Sequence, residues 1–222
     1  MNAAVIFDVD GVLVRTDEAH YQSWQSVMDD AGIAFDRTVN RHLLGVSRRA
    51  SLAIILEAAG QTLDEQTQAG LAEEKNRRFQ AFLQTLTPHD VLPGALELIQ
   101  ALRLHSIPIA AGSSSRNARY ILERTELLPL FNALVDGNDI QRSKPDPEVF
   151  LKCAGLLDVP PSVCVVVEDA PAGIEAARAA GMRVIAVGDG AHTPSPDRIF
   201  SDLKSVTVDM LLELARNPSS RL

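Results

Sequence analysis

The stretch AAVIFDVDGVLVRTDEAH, residues 3–20, carries the reading of the fold. An apolar run, AAVIF (3–7), stops at Asp8-Val9-Asp10-Gly11. Carboxylates are costly to bury and are seldom left unpaired, so two like charges one residue apart need a reason. Working outward, runs of the same kind recur at IPIAA (107–111), ALV (133–135), VCVVV (163–167) and RVIAV (183–187). None alternates apolar with polar; continuous runs suit strands buried on both faces. Between the later runs lie ALELIQALRLH (95–105), NARYILERTELL (117–128), PEVFLKCAGLL (147–157) and PAGIEAARAAG (171–181), all helical in pattern. Pro147 and Pro171 fit first-turn positions, and Gly181 fits a C-terminal stop. Strands alternating with helices specify an α/β fold, a Rossmann-like doubly wound parallel sheet with right-handed crossovers.

One interval breaks the alternation. Residues 15–87 contain no convincing strand, and EAHYQSWQSVMDDAG, RRASLAIILEAAG and DEQTQAGLAEEKNRRFQAFLQTL read as amphipathic helices. The expected organisation is a catalytic core of residues 1–14 and 88–222, with a helical cap of residues 15–87 inserted after strand one. The tail NPSSRL (217–222) is expected to fray.

The chain has 222 residues, 46% of them apolar, enough for a sizeable core. A net charge of −8 argues against a general nucleic-acid binder, yet leaves room for a locally positive site for an anionic substrate. Cys153 and Cys164 have neither metal-site nor disulfide spacing and read as structural thiols in a reducing cytosol. With no basic leader and no run long enough to span a bilayer, the expectation is a cytoplasmic protein, a monomer without membrane or nucleic-acid partners.

In a doubly wound sheet, ligands bind beyond the carboxyl ends of the strands. Strand one ends in Asp8 and Asp10; the next core strand runs into Gly112-Ser113-Ser114-Ser115; the fourth ends in Glu168-Asp169; and RSKPDPEVF brings Lys144 next to a helix start. Each has a bland reading alone: a turn aspartate, a serine loop, a surface lysine, a helix cap. An acid pair, a hydroxyl turn, a lysine and a second acid pair in sheet-edge order are hard to obtain from capping alone. Asp8, Glu168 and Asp169 cannot crowd as bare anions, and a hard divalent cation such as Mg²⁺ relieves that repulsion. Lys144 and Ser113 would then cradle a phosphoryl group. A carboxylate can act as nucleophile through an aspartyl-phosphate, and Asp10 could shuttle the proton.

DVDGVLV, the Ser113 turn, KPDPEVF and VEDAPAGIEAARAAGM together resemble the four motifs of the haloacid dehalogenase-like (HAD) phosphotransferases, over essentially the whole chain. The similarity is greatest to their β-phosphoglucomutase subgroup, which carries a helical cap after strand one. That resemblance implies Asp8 as the phosphorylated nucleophile and Asp10 as general acid/base, also lending Mg²⁺ its backbone carbonyl. It implies Glu168 and Asp169 as the rest of the metal site, and Ser113, Ser114 and Lys144 around the transferring phosphoryl group. It further implies Arg48, Ser115, Arg116 and Asn117 at a distal, non-transferring phosphate. Arg116 stands where the subgroup usually has Lys, a change that bidentate gripping should tolerate. His20, Trp24, Gly45, Val46, Ser51 and Lys75 would line the cleft between cap and core. His20 and Lys75 would couple substrate binding to Asp10, and Gly45 would permit close backbone approach. Three departures from the subgroup are Arg15 and Arg49, at positions usually acidic, and Ser114, where Ala is common; they leave the exact sugar open.

Three functions follow for comparison. The first is a mutase interconverting β-D-glucose 1-phosphate and glucose 6-phosphate, with glucose 1,6-bisphosphate as intermediate and activator. The second is a Mg²⁺-dependent sugar-phosphate phosphatase with water as acceptor. The third is a phosphorylatable signalling module; receiver domains also pair an acidic pocket with Ser/Thr and Lys, but their phospho-acceptor ends a later strand and they have no cap.

Overall fold

The computed structural model describes residues 3–188 and 195–216, so the NPSSRL tail lies outside the described residues. In chain order the elements are β1 (Ala4–Phe7), α1 (Asp17–Ala31), α2 (Arg37–Asn40), α3 (Arg48–Ala58) and α4 (Glu65–Leu83). They continue with α5 (Ala95–Leu104), β2 (Ile109–Gly112), α6 (Ala118–Arg124), β3 (Ala133–Val135) and α7 (Glu148–Leu156). The last are β4 (Cys164–Glu168), α8 (Pro171–Ala179), β5 (Arg183–Val187), β6 (Arg198–Phe200) and α9 (Val208–Arg216).

The strands form one parallel sheet in the order β3-β2-β1-β4-β5-β6. β1 lies at the centre, with Val5 paired to Ile109 on one side and to Val165 on the other. The chain first builds the sheet outward from β1 through β2 and β3, then returns to β1's other edge with β4. Such a reversal opens a crevice at the strands' carboxyl ends, where Asp8 and Asp10 sit.

The continuous apolar runs are explained by the two layers they face. Val5, Phe7, Ile109, Ala111, Val165 and Val167 share one core cluster with α5, α6 and α9. Ala4, Ile6, Ala110, Cys164 and Val166 share the other with α7 and α8. With period-two side chains and both faces covered, every position is apolar. Both cysteines are free and buried, as structural thiols would be.

No strand occurs between residues 15 and 87. α1 and α3 bury Trp24, Met28, Leu52 and Ile55 in a cluster of their own, whereas Phe79 and Leu83 of α4 join the sheet's core. The two connections to this helical insertion run side by side. Arg15 N donates to Asp90 O at 3.1 Å and Leu92 N to Leu13 O at 2.8 Å, and Val14 and Val91 form an antiparallel bridge.

Three details differ from the sequence reading. NARYILERTELL is helical only to Arg124, because the Thr125 hydroxyl turns back to Ile121 O at 2.8 Å and Glu126 takes a left-handed φ of 60°. Pro147 precedes the first turn of α7 rather than sitting in it. β6 was not expected: Arg198-Ile199-Phe200 is a three-residue, largely exposed edge strand, too short to give a pattern.

Candidate active site

A cavity of about 670 Å³ lies between the sheet's carboxyl edge and the helical insertion. Of the residues expected at the site, fifteen line it: Asp8, Asp10, His20, Trp24, Gly45, Val46, Arg48, Ser51, Lys75, Ser113, Ser114, Ser115, Arg116, Asn117 and Asp169. The other two, Lys144 and Glu168, are fully buried beside Asp8.

Asp8 leaves the end of β1 and receives Lys144 Nζ at 2.5 Å; the same ammonium reaches Glu168 Oε1 at 2.7 Å. The two carboxylates hold Lys144's pKa above its ordinary value despite burial, which works the other way. Glu168 ends β4 and is locked by its neighbours: Oε2 accepts from Asp169 N at 2.8 Å and Ala170 N at 2.9 Å. Gly173 in the first turn of α8 makes room for it, since a Cβ there would lie 1.6 Å from Glu168 Oε1. Gly11 does the same for Asp169, whose Oδ2 would be 2.2 Å from a Cβ at that position.

Asp8, Glu168 and Asp169 bring carboxylate oxygens within 4.8 Å of one another. Burial, above all, pushes Asp8 and Asp169 well above the usual carboxylate range; Glu168 adds to both and Asp8 to Asp169, with Lys144 opposing at Asp8. One lysine does not neutralise three acids. Clustered hard oxygen donors of this kind fit Mg²⁺.

Asp10 belongs to a different network. Thr16 Oγ1 donates to its Oδ1 at 2.6 Å, Ser113 Oγ to its Oδ2 at 3.4 Å, and His20 Nε2 stands 3.4 Å from Oδ1. On the far side of the ring, Lys75 Nζ lies 2.7 Å from His20 Nδ1. An ammonium only donates, so Nδ1 accepts and the ring proton sits on Nε2, facing Asp10. Burial would raise Asp10's pKa, but the His20 and Thr16 hydrogen bonds and the Lys75 charge outweigh it and lower it. Lys75 is itself buried and pushed down to about 7 by desolvation, with Arg48 adding to the shift. Its ammonium also lies 4.4 Å from the Phe79 ring centre and 5.6 Å from that of Trp24, which belongs to the insertion's core.

The serine turn after β2 is held by its own hydrogen bonds. Ser113 Oγ accepts from Ser115 N at 3.0 Å, and Ser115 Oγ from Asn117 N at 3.2 Å. Ser114 Oγ accepts from Lys144 N at 3.2 Å, so here Ser114 anchors the lysine's backbone. Facing this turn across the cavity is the insertion's GVSRR segment. Arg48 Nη1 donates to Ala72 O at 3.2 Å, and desolvation chiefly lowers its pKa. Gly45, at φ 75°, comes against the core so closely that a Cβ would be 3.0 Å from Ala170 Cβ. Arg49 also lines the cavity.

Sequence reasoning missed Thr16, Asn76 and Asp17. Asn76 Oδ1 accepts from Asn117 Nδ2 at 3.2 Å, joining α4 to the serine turn. Asp17 lines the cavity and is pushed up to about 6, mainly by burial and then by Asp10. A carboxylate repeating the acid pattern seven residues after Asp10 was the available signal for Asp17; Thr16 and Asn76 gave none.

A haloacid dehalogenase-like hydrolase model matches residues 3–181. The chain belongs to this family. Among HAD-like proteins it is 40% identical to the β-phosphoglucomutase of Bacillus subtilis, over 95% of this chain and 94% of that one. It is 33% identical to a phosphorylated carbohydrates phosphatase of Thermotoga maritima, over 82% of this chain and 83% of that one. A crystal structure of β-phosphoglucomutase from Clostridium difficile superposes with a TM-score of 0.92 at 32% identity, covering 98% of each chain. The HAD-like fold and an acidic cluster suited to a metal are therefore features of this enzyme. No helix among the described residues is long and apolar enough to cross a membrane.

Proposed function

We propose that this HAD-like enzyme is a β-phosphoglucomutase, interconverting β-D-glucose 1-phosphate and glucose 6-phosphate through an aspartyl-phosphate and glucose 1,6-bisphosphate. The observation that carries this reading is the second set of anion donors. Arg48, Arg116, Ser115 and Asn117 line the same cavity as Asp8, from both the insertion and the core. A hydrolase needs one phosphate site, whereas a mutase must hold a second phosphate while the first moves. The 40% identity to a mutase supports the same choice.

In this reading Asp8 attacks the phosphorus of the bisphosphate, a P–O bond to the sugar breaks, and Asp10 gives the leaving oxygen its proton. The phosphorylated enzyme then receives β-D-glucose 1-phosphate, whose 6-hydroxyl attacks the aspartyl-phosphate: the Asp8–phosphorus bond breaks, Asp10 takes the hydroxyl's proton, and the bisphosphate so formed turns before the first step recurs. The lowered pKa of Asp10 suits the second, proton-accepting role when the enzyme begins phosphorylated. Asp8, Glu168 and Asp169 would hold Mg²⁺, with Asp10 contributing its backbone carbonyl. When bound, the ion screens the charge of the phosphoryl oxygens and of the crowded acids. Lys144 and Ser113 hold the transferring group; Arg48, Ser115, Arg116 and Asn117 hold the distal one. Residues 15–87 act as a cap over a core of 1–14 and 88–222, excluding water so that sugar is the preferred acceptor. The protein works as a cytoplasmic monomer in this reading.

Incubation with β-glucose 1-phosphate, Mg²⁺ and a trace of the bisphosphate should yield glucose 6-phosphate in large excess over free phosphate. Predominant free phosphate would establish the second reading, a sugar-phosphate phosphatase, which the 33% identity to a carbohydrate phosphatase keeps in play. A signalling module would show no turnover, and its Asp8→Asn form would differ only in phosphorylation.

A further inference from the structure

Asn117 is held from two sides. Its backbone N donates to Ser115 Oγ at 3.2 Å, within the core, and its side-chain Nδ2 donates to Asn76 Oδ1 at 3.2 Å, on α4 of the cap. Both side chains line the cavity. A carboxamide is planar and offers its oxygen and nitrogen in opposite directions. Only the nitrogen can donate to a phosphate; the oxygen would repel it. A group that accepts one Nδ2 hydrogen therefore fixes which way the carboxamide faces and leaves the second hydrogen for a ligand. Nothing else in the structure accepts from Asn117 Nδ2 among the described residues.

We infer that Asn76 is a positioning residue: its carboxamide oxygen orients Asn117 toward the distal phosphate and ties that phosphate to the cap. The inference rests on the mutase reading and deepens it. Asn76 follows Lys75 directly, and Lys75 reaches Asp10 through His20. One turn of α4 thus meets both the distal anion donors and the proton-handling acid. A distal phosphate that engages Asn117 draws on the same helix that sets Asp10, whereas water as acceptor makes no such contact.

The test is a double-mutant cycle read by calorimetric titration with β-D-glucose 1,6-bisphosphate and Mg²⁺. All proteins carry Asp8→Asn, so that nothing turns over. Asn76→Leu, close in shape but without an acceptor, should weaken binding about tenfold, the range of one hydrogen bond to a charged ligand's donor. In an Asn117→Ala background the same change should cost less than about twofold. Melting temperatures identify any variant that has lost its fold, and Asn76→Ala then replaces Asn76→Leu in the cycle. Equal loss in both backgrounds, or no loss in either, overturns the assignment of Asn76. A reference protein that fails to bind the bisphosphate overturns both this inference and the mutase reading. Full coupling in a chain whose wild type releases only free phosphate overturns the mutase reading alone.

Discussion

At the scale of single residues, Asp8 and Asp10 are two places apart but live in opposite surroundings. Asp8 shares a buried lysine with Glu168 and is driven toward its neutral form; Asp10 is wrapped in donors and driven toward its anion. Asp10→Asn should therefore leave Mg²⁺ affinity nearly intact and cut turnover by roughly 10²–10⁴-fold; unchanged turnover in a coupled assay would remove Asp10 from proton transfer. Lys75 gives a pH signature. Unfolded, it holds its proton to about 10.5; folded, only to about 7. Between those values the unfolded chain binds more protons, so this group makes stability rise with pH across that window. The melting-temperature advantage of Lys75→Met over wild type should accordingly shrink from pH 6.5 to pH 10, and an advantage that grows would contradict the burial argument. The strand-end acids were legible because charge after an apolar run is rare. Thr16 and Asn76 were not, because a threonine before a helix and an asparagine within one are ordinary until their partners are known.

At the scale of elements, the β4–α8 junction shows how a glycine can hold a carboxylate in place without touching a ligand. Glu168 accepts from the two backbone amides that follow it, and Gly173 leaves the space its side chain fills. Gly173→Ala should displace Glu168, lower stability by about 1–3 kcal/mol and weaken the stabilisation given by Mg²⁺. Thermal melts with and without the ion separate the two effects, and a variant that melts like wild type in both would show that the pocket can yield. In sequence this glycine looks like a weak point in a helix. The strands themselves were readable to within two residues because both faces of the sheet are covered. β6 and the end of α6 were not, since an exposed edge and a left-handed residue leave no hydrophobic period.

For the whole molecule, the three acids at the sheet's edge make the metal-free fold hold charge against itself. Mg²⁺ should raise the unfolding free energy by about 2.7 kcal/mol at a hundred times its Kd. Asp8 and Asp169 have pKa values raised by folding, so protons compete with the ion. The rise in melting temperature should be large near neutral pH, fade as the solution is acidified and vanish with a chelator; a rise independent of pH would point to binding elsewhere. That a helical segment interrupts the α/β alternation was plain from the sequence. How it is attached was not, because the valines that meet across the two connections, Val14 and Val91, are seventy-seven positions apart. Those connections are hydrogen-bonded into a short two-stranded ribbon. A ribbon resists stretch and in-plane shear but yields to twist, so it acts as an axle. If residues 15–87 move as the proposed cap, this ribbon would let them turn without sliding, so that each closure would return the same side chains to the same register over the strand ends.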